Sequence, residues 1–241
     1  MGMPGLGTIF NVAAIIAGGI LGCTVGSRVP ERVRQTLMSA NAVAVIFLGI
    51  GGTLAKMLTF SEGRFGTIGT MMMIGSLAIG GVIGEILNLE RGFERLGVWL
   101  REKTGNAKDA QFVDAFVTAS LTVCIGAMAI VGSIEDGLFA NHAILFAKGV
   151  LDFVIVLVMA ASMGKGCGFA AIPVGIVQGA MTLLSSLMRP VMTDAVIDNI
   201  SYIGSILIFC VGINLFFGKK IRVANLLPAL VIAGLWTIFP M

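Results

Sequence analysis

The sequence has very little charge for its length. Only 12% of its 241 residues are Asp, Glu, Lys or Arg, whereas 57% are hydrophobic, and the mean hydropathy is +0.99. A soluble domain normally carries about 25% charged residues, and a chain of this size has too little interior to hide so much apolar surface. The scarcity of charge therefore excludes an ordinary soluble domain and predicts an integral membrane protein.

Residues that bind metals or attack substrates are also scarce. The chain has a single histidine, His142, and four cysteines without a CxxC spacing, so no metal site is expected. It has no GxSxG, Walker or HExxH motif, and no basic run interleaved with aromatic residues. We therefore expect neither an enzyme nor a nucleic-acid-binding protein, and no cofactor.

Long apolar stretches dominate what remains. A membrane core of about 30 Å needs roughly 20 apolar residues in a helix. Such stretches are predicted at residues 7–27, 37–58, 67–88, 110–132, 142–164, 168–188, 199–218 and 223–241. They predict an all-α, polytopic transmembrane helix bundle of about eight spans, forming one integral membrane domain over residues 1–241. In the sixth span, GKGCGFAAIPVG is rich in glycine and contains Pro173, which leaves open whether that span is continuous or broken.

The basic residues cluster in alternate loops between these spans. Twelve of the sixteen Lys and Arg lie in the first, third, fifth and seventh loops, and three lie in the other loops and flanks. By the positive-inside rule, the loops with the excess face the cytoplasm. Both termini are therefore predicted to lie outside.

The third loop has a pattern of its own. Residues 89–109 hold apolar side chains roughly on one side of a helix and charges on the other, the apolar set being Leu89, Phe93, Leu96, Val98, Trp99 and Leu100. Such a segment predicts one amphipathic helix lying on the cytoplasmic membrane surface. An ordinary charged loop is the alternative.

Two internal similarities favour an inverted-topology repeat. CIGAMAIVG at residues 124–132 and CVGINLFFG at residues 210–218 share the pattern C-x-G-x5-G. A second similarity links GSRVPERVRQTL…IFLGIG with SLMRPVMTDAVI…IFCVGI. Both pairs are predicted to run in opposite directions, as in many secondary transporters. The two similarities imply different repeat units, so the unit stays open.

Small residues line the first span. The chain has 33 glycines, and Gly18, Gly19, Gly22 and Gly26 recur on one side of this span. Stripes of small residues let helix backbones approach closely in lipid. The stripe predicts tight packing within one protomer or a homodimer face, and a homodimer is the expected oligomer.

Polar residues inside a span are costly, so they are the candidates for a binding site. Lys148 and Asp152 lie near the middle of the fifth span and, four residues apart, share a helix face. Either they neutralise each other and let the helix insert, or Lys148 extends toward the interface. In the second case Asp152 is free to bind H⁺ or Na⁺.

Four neutral residues are further candidates. Gln178 lies near the middle of the sixth span, and Asn214 lies in the inner half of the seventh. Both side chains donate and accept hydrogen bonds, which suits either a polar substrate or plain bonding between helices. Asn11 near the outer end of the first span and Asn225 at the start of the eighth complete this set.

An acidic pair ends the predicted fourth span. Glu135 and Asp136 in GSIEDGL are expected to line an outer vestibule that attracts cations, or merely to cap the next helix. A membrane enzyme acting on lipid would have to use this pair together with Asp152, and nothing else in the sequence supports such chemistry.

Several motifs carry a resemblance to a known family. GSIEDGL, KGVLDF, IPVGIVQG, KKIRVANLLPAL and the opening GTIFNVAAIIAGGILGCTVGSRVPERVR resemble domain-of-unknown-function family 554, from about Gly7 to Ala233. The chain departs from that pattern around GKGCGFAAIP and HAILFAKGVLDF. The resemblance implies a multi-spanning protein of the bacterial inner membrane and implies no activity.

The residues themselves lead to a functional hypothesis. We expect a secondary transporter of a small polar or charged solute, coupled to H⁺ or Na⁺, with a site near the bilayer midplane. An ion channel with an outer acidic ring, or a membrane scaffold that transports nothing, are the alternatives.

Overall fold

The chain folds into eleven helices over the residues that a computed structural model describes, namely 3–28, 30–61, 63–125 and 127–238. They are α1 (Leu6–Gly26), α2 (Glu31–Met57), α3 (Thr70–Leu87), α4 (Leu89–Lys103), α5 (Phe112–Cys124), α6 (Ala127–Phe139), α7 (Ala143–Met163), α8 (Ala171–Leu183), α9 (Ser185–Met188), α10 (Asp194–Phe217) and α11 (Pro228–Leu235). An antiparallel hairpin of β1 (Leu58–Ser61) and β2 (Arg64–Thr67) follows α2. Three 3-10 turns span Lys165–Ala170, Val223–Leu226 and Trp236–Ile238.

Most of these helices are long and apolar enough to cross a membrane. In the described part of the chain, six helical segments meet that condition, and α5 with α6 makes a seventh if the bent pair is one span. Val223–Leu235 is a shorter apolar helix. The all-α transmembrane bundle is thereby confirmed, whereas the count of eight spans stays a prediction.

The predicted fourth span, residues 110–132, is not one straight helix. Helix α5 ends at Cys124, Ile125 is extended, and α6 leaves at an angle of 63°. A β-branched residue followed by glycine in the sequence favours such an interruption. GSIEDGL therefore lies in the last two turns of α6, which runs past the predicted end at residue 132 and stops at Phe139. Glu135 and Asp136 thus lie near the end of this bent segment, as expected.

The sixth predicted span, residues 168–188, begins differently from a regular helix. The 3-10 turn Lys165–Ala170 precedes α8, and Gly166 lies against the backbone of Phe112 and Phe116. Pro173 falls in the first turn of α8, where its missing N–H has no helical partner to lose. The interruption thus comes before the proline, and Lys165–Leu183 still counts as one span.

Glycines bring α1 and α7 into backbone contact. Gly7 at the start of α1 lies against Leu145 near the start of α7, and Gly22 lies against Leu157 and Ala160 farther along both helices. The two helices therefore run parallel. This is the direction that the predicted alternation requires of the first and fifth spans.

Two other helix pairs run antiparallel. For α2 and α10 the contacts are Gly49 with Phe209 and Gly52 with Ser205. For α3 they are Gly80 with Ala229 of α11, and Gly75 with Trp236 and Gly84 with Asn225 in the 3-10 turns that flank α11. These directions also agree with the predicted alternation of spans. The antiparallel packing of α2 and α10 fits the second internal similarity, whose two parts end in these helices.

The first internal similarity has unlike local structures. Residues 124–132 include the end of α5 and the start of α6, whereas residues 210–217 lie inside the continuous helix α10. An inverted repeat therefore stays a prediction, and the α2–α10 pair is its better-supported unit.

The four loops rich in Lys and Arg meet at one end of the bundle, which we call the basic end. Lys219 hydrogen-bonds Glu94 and forms an ion pair with Glu90 at 3.0 Å, and Arg222 pairs with Glu85. Partial burial lowers the pKa of Lys219, but the hydrogen bonds and charges of Glu94 and Glu90 outweigh it, so the pKa is raised. The opposite end, which we call the distal end, holds the β1–β2 hairpin and the α6–α7 corner.

Helix α4 confirms the predicted helix in the third loop. Its Gly97 lies against Val113 and Phe116 of α5, and Leu100 is buried, whereas Trp99 is 53% exposed. Part of its apolar side therefore packs on α5, and only the remainder is available to the membrane surface.

The glycine contacts generate a stability prediction. A methyl group at Gly22 would overlap the Leu157 carbonyl oxygen and lie 2.8 Å from Ala160 Cβ. Overpacking of this kind costs about 1–3 kcal/mol, so Gly22→Ala should lower the melting temperature of the purified protein. Gly51→Ala is the control, since nothing lies within 4 Å of that position. Equal melting temperatures for the two variants would contradict the α1–α7 packing.

Candidate ion and solute site

The charged pair of α7 is buried and fully engaged. Lys148 Nζ donates to Asp152 Oδ1 at 2.9 Å and Oδ2 at 2.7 Å, and to the Val123 carbonyl oxygen at 2.9 Å. Lys148 is 6% exposed and Asp152 is 3% exposed. The alternative in which Lys148 extends to the interface is therefore wrong for this structure.

The position of Val123 explains the third bond. Residues near the end of a helix have carbonyls without an intrahelical partner, and α5 ends one residue after Val123. Water does not reach such a carbonyl inside the bundle, and a cation is favoured at a helix C-terminus. Lys148 thus neutralises Asp152 and also caps the interrupted helix.

Two amide side chains lie in the same region without partners. Asn11 is 0% exposed and Gln178 is 1% exposed, and within the described residues neither atom of either amide has a hydrogen bond. The Asn11 side chain lies beside the Asp152 carboxylate without a well-formed hydrogen bond to it, and its Cα packs against Gly149. A buried amide without a partner costs about 1–3 kcal/mol.

Contacts between α1 and α8 bring these amides to one level. Val12 of α1 faces Gly175 of α8, and the Thr8 hydroxyl lies 3.3 Å from that of Thr182. Gln178 lies between those two points on α8, and Asn11 lies between them on α1. Each falls on the buried face of its helix, and Asn11 is the one of the two that the structure places beside Asp152.

Asp136 forms a second buried cluster, nearer the distal end. It is 0% exposed, its Oδ1 lies 2.6 Å from His142 Nδ1, and its Oδ2 accepts from the Thr8 backbone N–H at 3.3 Å. The carboxylate thus caps α1 and holds the residue that precedes α7. Of the two predicted roles for GSIEDGL, helix capping fits, although the capped amide belongs to α1.

Glu135 points elsewhere. Its carboxylate accepts from the Asn141 side chain at 2.7 Å in the α6–α7 corner. It therefore supports that corner and takes no part in the cluster around Asp136.

Two predicted site residues lie at the basic end. The Asn214 amide donates to Ile221 O at 2.7 Å and accepts from the Lys220 and Ile221 amides at 2.9 Å, so it holds the loop after α10. The Asn225 side chain accepts from the Glu90 amide at 2.7 Å and donates to Glu85 at 2.6 Å. The structure therefore gives both asparagines bonding partners and keeps them apart from Asp152.

Sequence reasoning missed His142, Thr8 and Thr182 as members of the buried network. His142 follows Asp136 by six residues across a helix–helix corner, so the spacing was visible, but the corner was not predicted there. The two threonines are 174 residues apart, and no local pattern brings them together.

Two connected cavities open at the basic end. The first, of about 210 Å³, is lined by Glu90 and Lys219 and follows α5 from Asp114 to Leu121. The second, of about 270 Å³, shares Asp114 with the first and is lined by Arg34. Leu121 lies two residues before Val123, so this vestibule follows the same helix whose end Lys148 caps.

The comparisons with known proteins agree on one group. The family model described as "Protein of unknown function (DUF554)" matches residues 6–238. The chain is 31% identical over 226 residues to "Uncharacterized membrane protein YdfK" of Bacillus subtilis (strain 168), covering 94% of this chain and 93% of that protein. It is 28% identical over 232 residues to "Uncharacterized protein YqgA" of Escherichia coli (strain K12), covering 95% and 94%. No solved structure matches the chain.

The buried ion pair generates a second stability prediction. Lys148→Met removes the partner of Asp152 and of the Val123 carbonyl, and breaking a buried pair costs about 3–5 kcal/mol. We expect a large loss of melting temperature, much of it recovered when Asp152→Leu is added. Lys56→Met breaks only the exposed pair with Asp198 and should cost at most about 1 kcal/mol. Equal effects of the two single variants would contradict the buried geometry.

Proposed function

We propose that this chain, which belongs to the DUF554 family of membrane proteins, is a secondary transporter. The proposal is drawn from its own candidate site. It moves a small polar or charged solute across the bacterial inner membrane, coupled to H⁺ or Na⁺. Asp152 binds the coupling ion, Lys148 pairs with Asp152 between steps, and Asn11 and Gln178 bind the solute. The proposal assigns no catalytic chemistry and no cofactor to the chain.

One observation carries the proposal. A transmembrane segment is interrupted at Ile125, and the Val123 carbonyl near the end of its first half accepts from Lys148 of the buried Lys–Asp pair. Two buried amides, on the neighbouring helices α1 and α8, have no partner among the described residues. Secondary transporters build their sites from interrupted helices near the midplane, where free helix ends and charged side chains bind ions and solutes. Polar atoms that lack partners in the described structure are available to a ligand.

The two ends of the bundle differ in a way that suits alternating access. At the distal end, Thr8 links α1 to Asp136 of α6 and to Thr182 of α8. At the basic end, a vestibule opens along α5. We assign this conformation to the half of a transport cycle in which the basic end is the open one.

A scaffold without transport is the second candidate, and one observation favours it. Lys148 and Asp152 are fully paired and buried, as a pair retained only for neutralisation would be. Such a role leaves Asn11 and Gln178 unexplained, because a scaffold has no use for buried amides that bond nothing. We therefore favour transport.

The orientation follows from the positive-inside rule. We place the basic end in the cytoplasm and both termini outside. Separately, the homodimer expected from the glycine stripe of α1 stays a prediction. Alkaline phosphatase is active only where its disulfides form, outside the cytoplasm. Fused after residue 241 it should be active, and inserted in the loop 219–222 it should be inactive. The reverse pattern would contradict the orientation.

The ion site is tested by the thermal stability of the purified protein. A ligand that binds only the folded state raises the melting temperature by mass action. We expect a shift with pH, or with one of Na⁺, Li⁺ and K⁺ at constant ionic strength, that is lost in Asp152→Asn. Asp198→Asn, in an exposed pair, is the matched control and should respond like the native chain.

Other results would favour the alternatives. A flat response in both the native chain and Asp152→Asn would support the scaffold. Conductance across a planar bilayer that does not saturate with ion concentration would support a channel.

A further inference from the structure

Resting on the proposed function, we propose that the solute is a small monocarboxylate anion that binds together with one proton. The anion binds to the ammonium group of Lys148, and the proton binds to the carboxylate of Asp152. The amides of Asn11 and Gln178 complete the anion's hydrogen bonds. The transporter would then be a proton–monocarboxylate symporter.

Charge balance limits what this site can hold. Lys148 and Asp152 together are neutral, and a net charge in a buried, low-dielectric region is costly. For a solute with a net charge, two kinds of loading keep the site neutral. Either an anion arrives with a proton on Asp152, or a cation arrives while Lys148 loses its proton.

The bonding around the two charges favours the first kind. The ammonium of Lys148 has three acceptors, namely both oxygens of Asp152 and the Val123 carbonyl at a helix C-terminus. The carboxylate of Asp152 has hydrogen bonds from Lys148 alone among the described residues. If Lys148 lost its proton, its three acceptors would face an amine with only two N–H groups. If Asp152 is protonated instead, the Lys148 ammonium stays bonded to the Val123 carbonyl, and its other two N–H groups can donate to an anion.

The free amides match a carboxylate. A carboxylate accepts up to about four hydrogen bonds, and the two free N–H groups of Lys148 would leave about two of them unmade. The NH₂ groups of Asn11 and Gln178 supply donors, and their oxygens accept from protonated Asp152 or from a substrate hydroxyl. Close packing of Asn11 on Gly149 and of Val12 on Gly175 favours an anion with few heavy atoms.

Other titratable groups near this part of α7 are few. Cys124 at the end of α5 is the nearest along the chain to the carbonyl that Lys148 caps. The other titratable groups on the elements packed against α7 lie toward the two ends: Glu135, Asp136, His142 and Lys56 at the distal end, and Asp114, Glu31, Arg32, Arg34, Cys23, Lys165 and Cys167 at the basic end. Helix α8 contributes none. Asp136 is bonded to His142 and Thr8, and Asp114 lies in the vestibule at the basic end, so Asp152 is the carboxylate beside Lys148 that takes the proton.

The test uses the full chain in detergent and choline salts of monocarboxylates from formate to hexanoate. Melting temperature is measured against anion concentration between about pH 6 and pH 8, where these acids stay ionised. At least one anion should stabilise the native chain, with an apparent affinity that rises about tenfold per unit fall in pH, as one linked proton requires. The corresponding neutral amides and choline chloride should have no such effect.

Variants separate the roles of the two residues. Asp152→Asn is neutral at every pH, so the anion should bind it with a pH-independent affinity at least equal to that of the native chain at the lowest pH. Lys148→Gln should lose the response. The double variant Lys56→Gln, Asp198→Asn removes an exposed ion pair and should behave like the native chain.

The outcomes distinguish this inference from the function on which it rests. If no monocarboxylate in the series stabilises the native chain, or neutral amides do so equally, the monocarboxylate assignment is overturned. A Na⁺ response that strengthens as pH rises and disappears in Asp152→Asn would replace it with cation–proton antiport and keep transport. No response to protons, cations or anions would overturn both.

Discussion

The structure depends on one ammonium group that supports an interrupted helix. A helix that stops inside the bundle has carbonyls that neither water nor a next turn can satisfy. Lys148 donates to one of them at Val123, and its positive charge is balanced by the carboxylate of Asp152. Without that cation, α5 could end there only at the cost of an unpaired polar group, and α6 could not leave at 63°.

Around this point the bundle is unevenly built. On the distal side, Asp136 and Thr8 tie α1, α6, α8 and the start of α7 together through short polar contacts. On the basic side, the loops meet through ion pairs at the surface, and a vestibule remains beneath them. The buried amides of Asn11 and Gln178 lie between the two regions, where a solute could approach from the open side.

Composition, span patterning and charge alternation were enough to predict the class of fold, the run of apolar helices and the relative directions of the spans. Asp152, Lys148, Asn11, Gln178 and Asp136 were also identified, because buried polar residues are conspicuous in an apolar sequence. The break after Cys124 was missed, since Ile125 and its neighbours are as apolar as any span. Asn214 and Asn225 stay candidates, and the structure bonds both at the basic end, where Asn214 also lines the vestibule. These contacts were not predicted, because depth along a helix does not show whether a loop will fold back to bond an amide.

The parallel pairing of α1 and α7 has a mechanical consequence. Helices α1 and α7 pack closely at Gly7, Gly18 and Gly22, and the Asp136 carboxylate bonds near the start of both. Such close packing prevents the two helices from sliding past each other. Asn11 and Asp152 are therefore mounted on one rigid body. Gln178 on α8 and Val123 on α5 belong to other helices, so their positions relative to Asp152 depend on how α8 and α5 pack against that pair of helices.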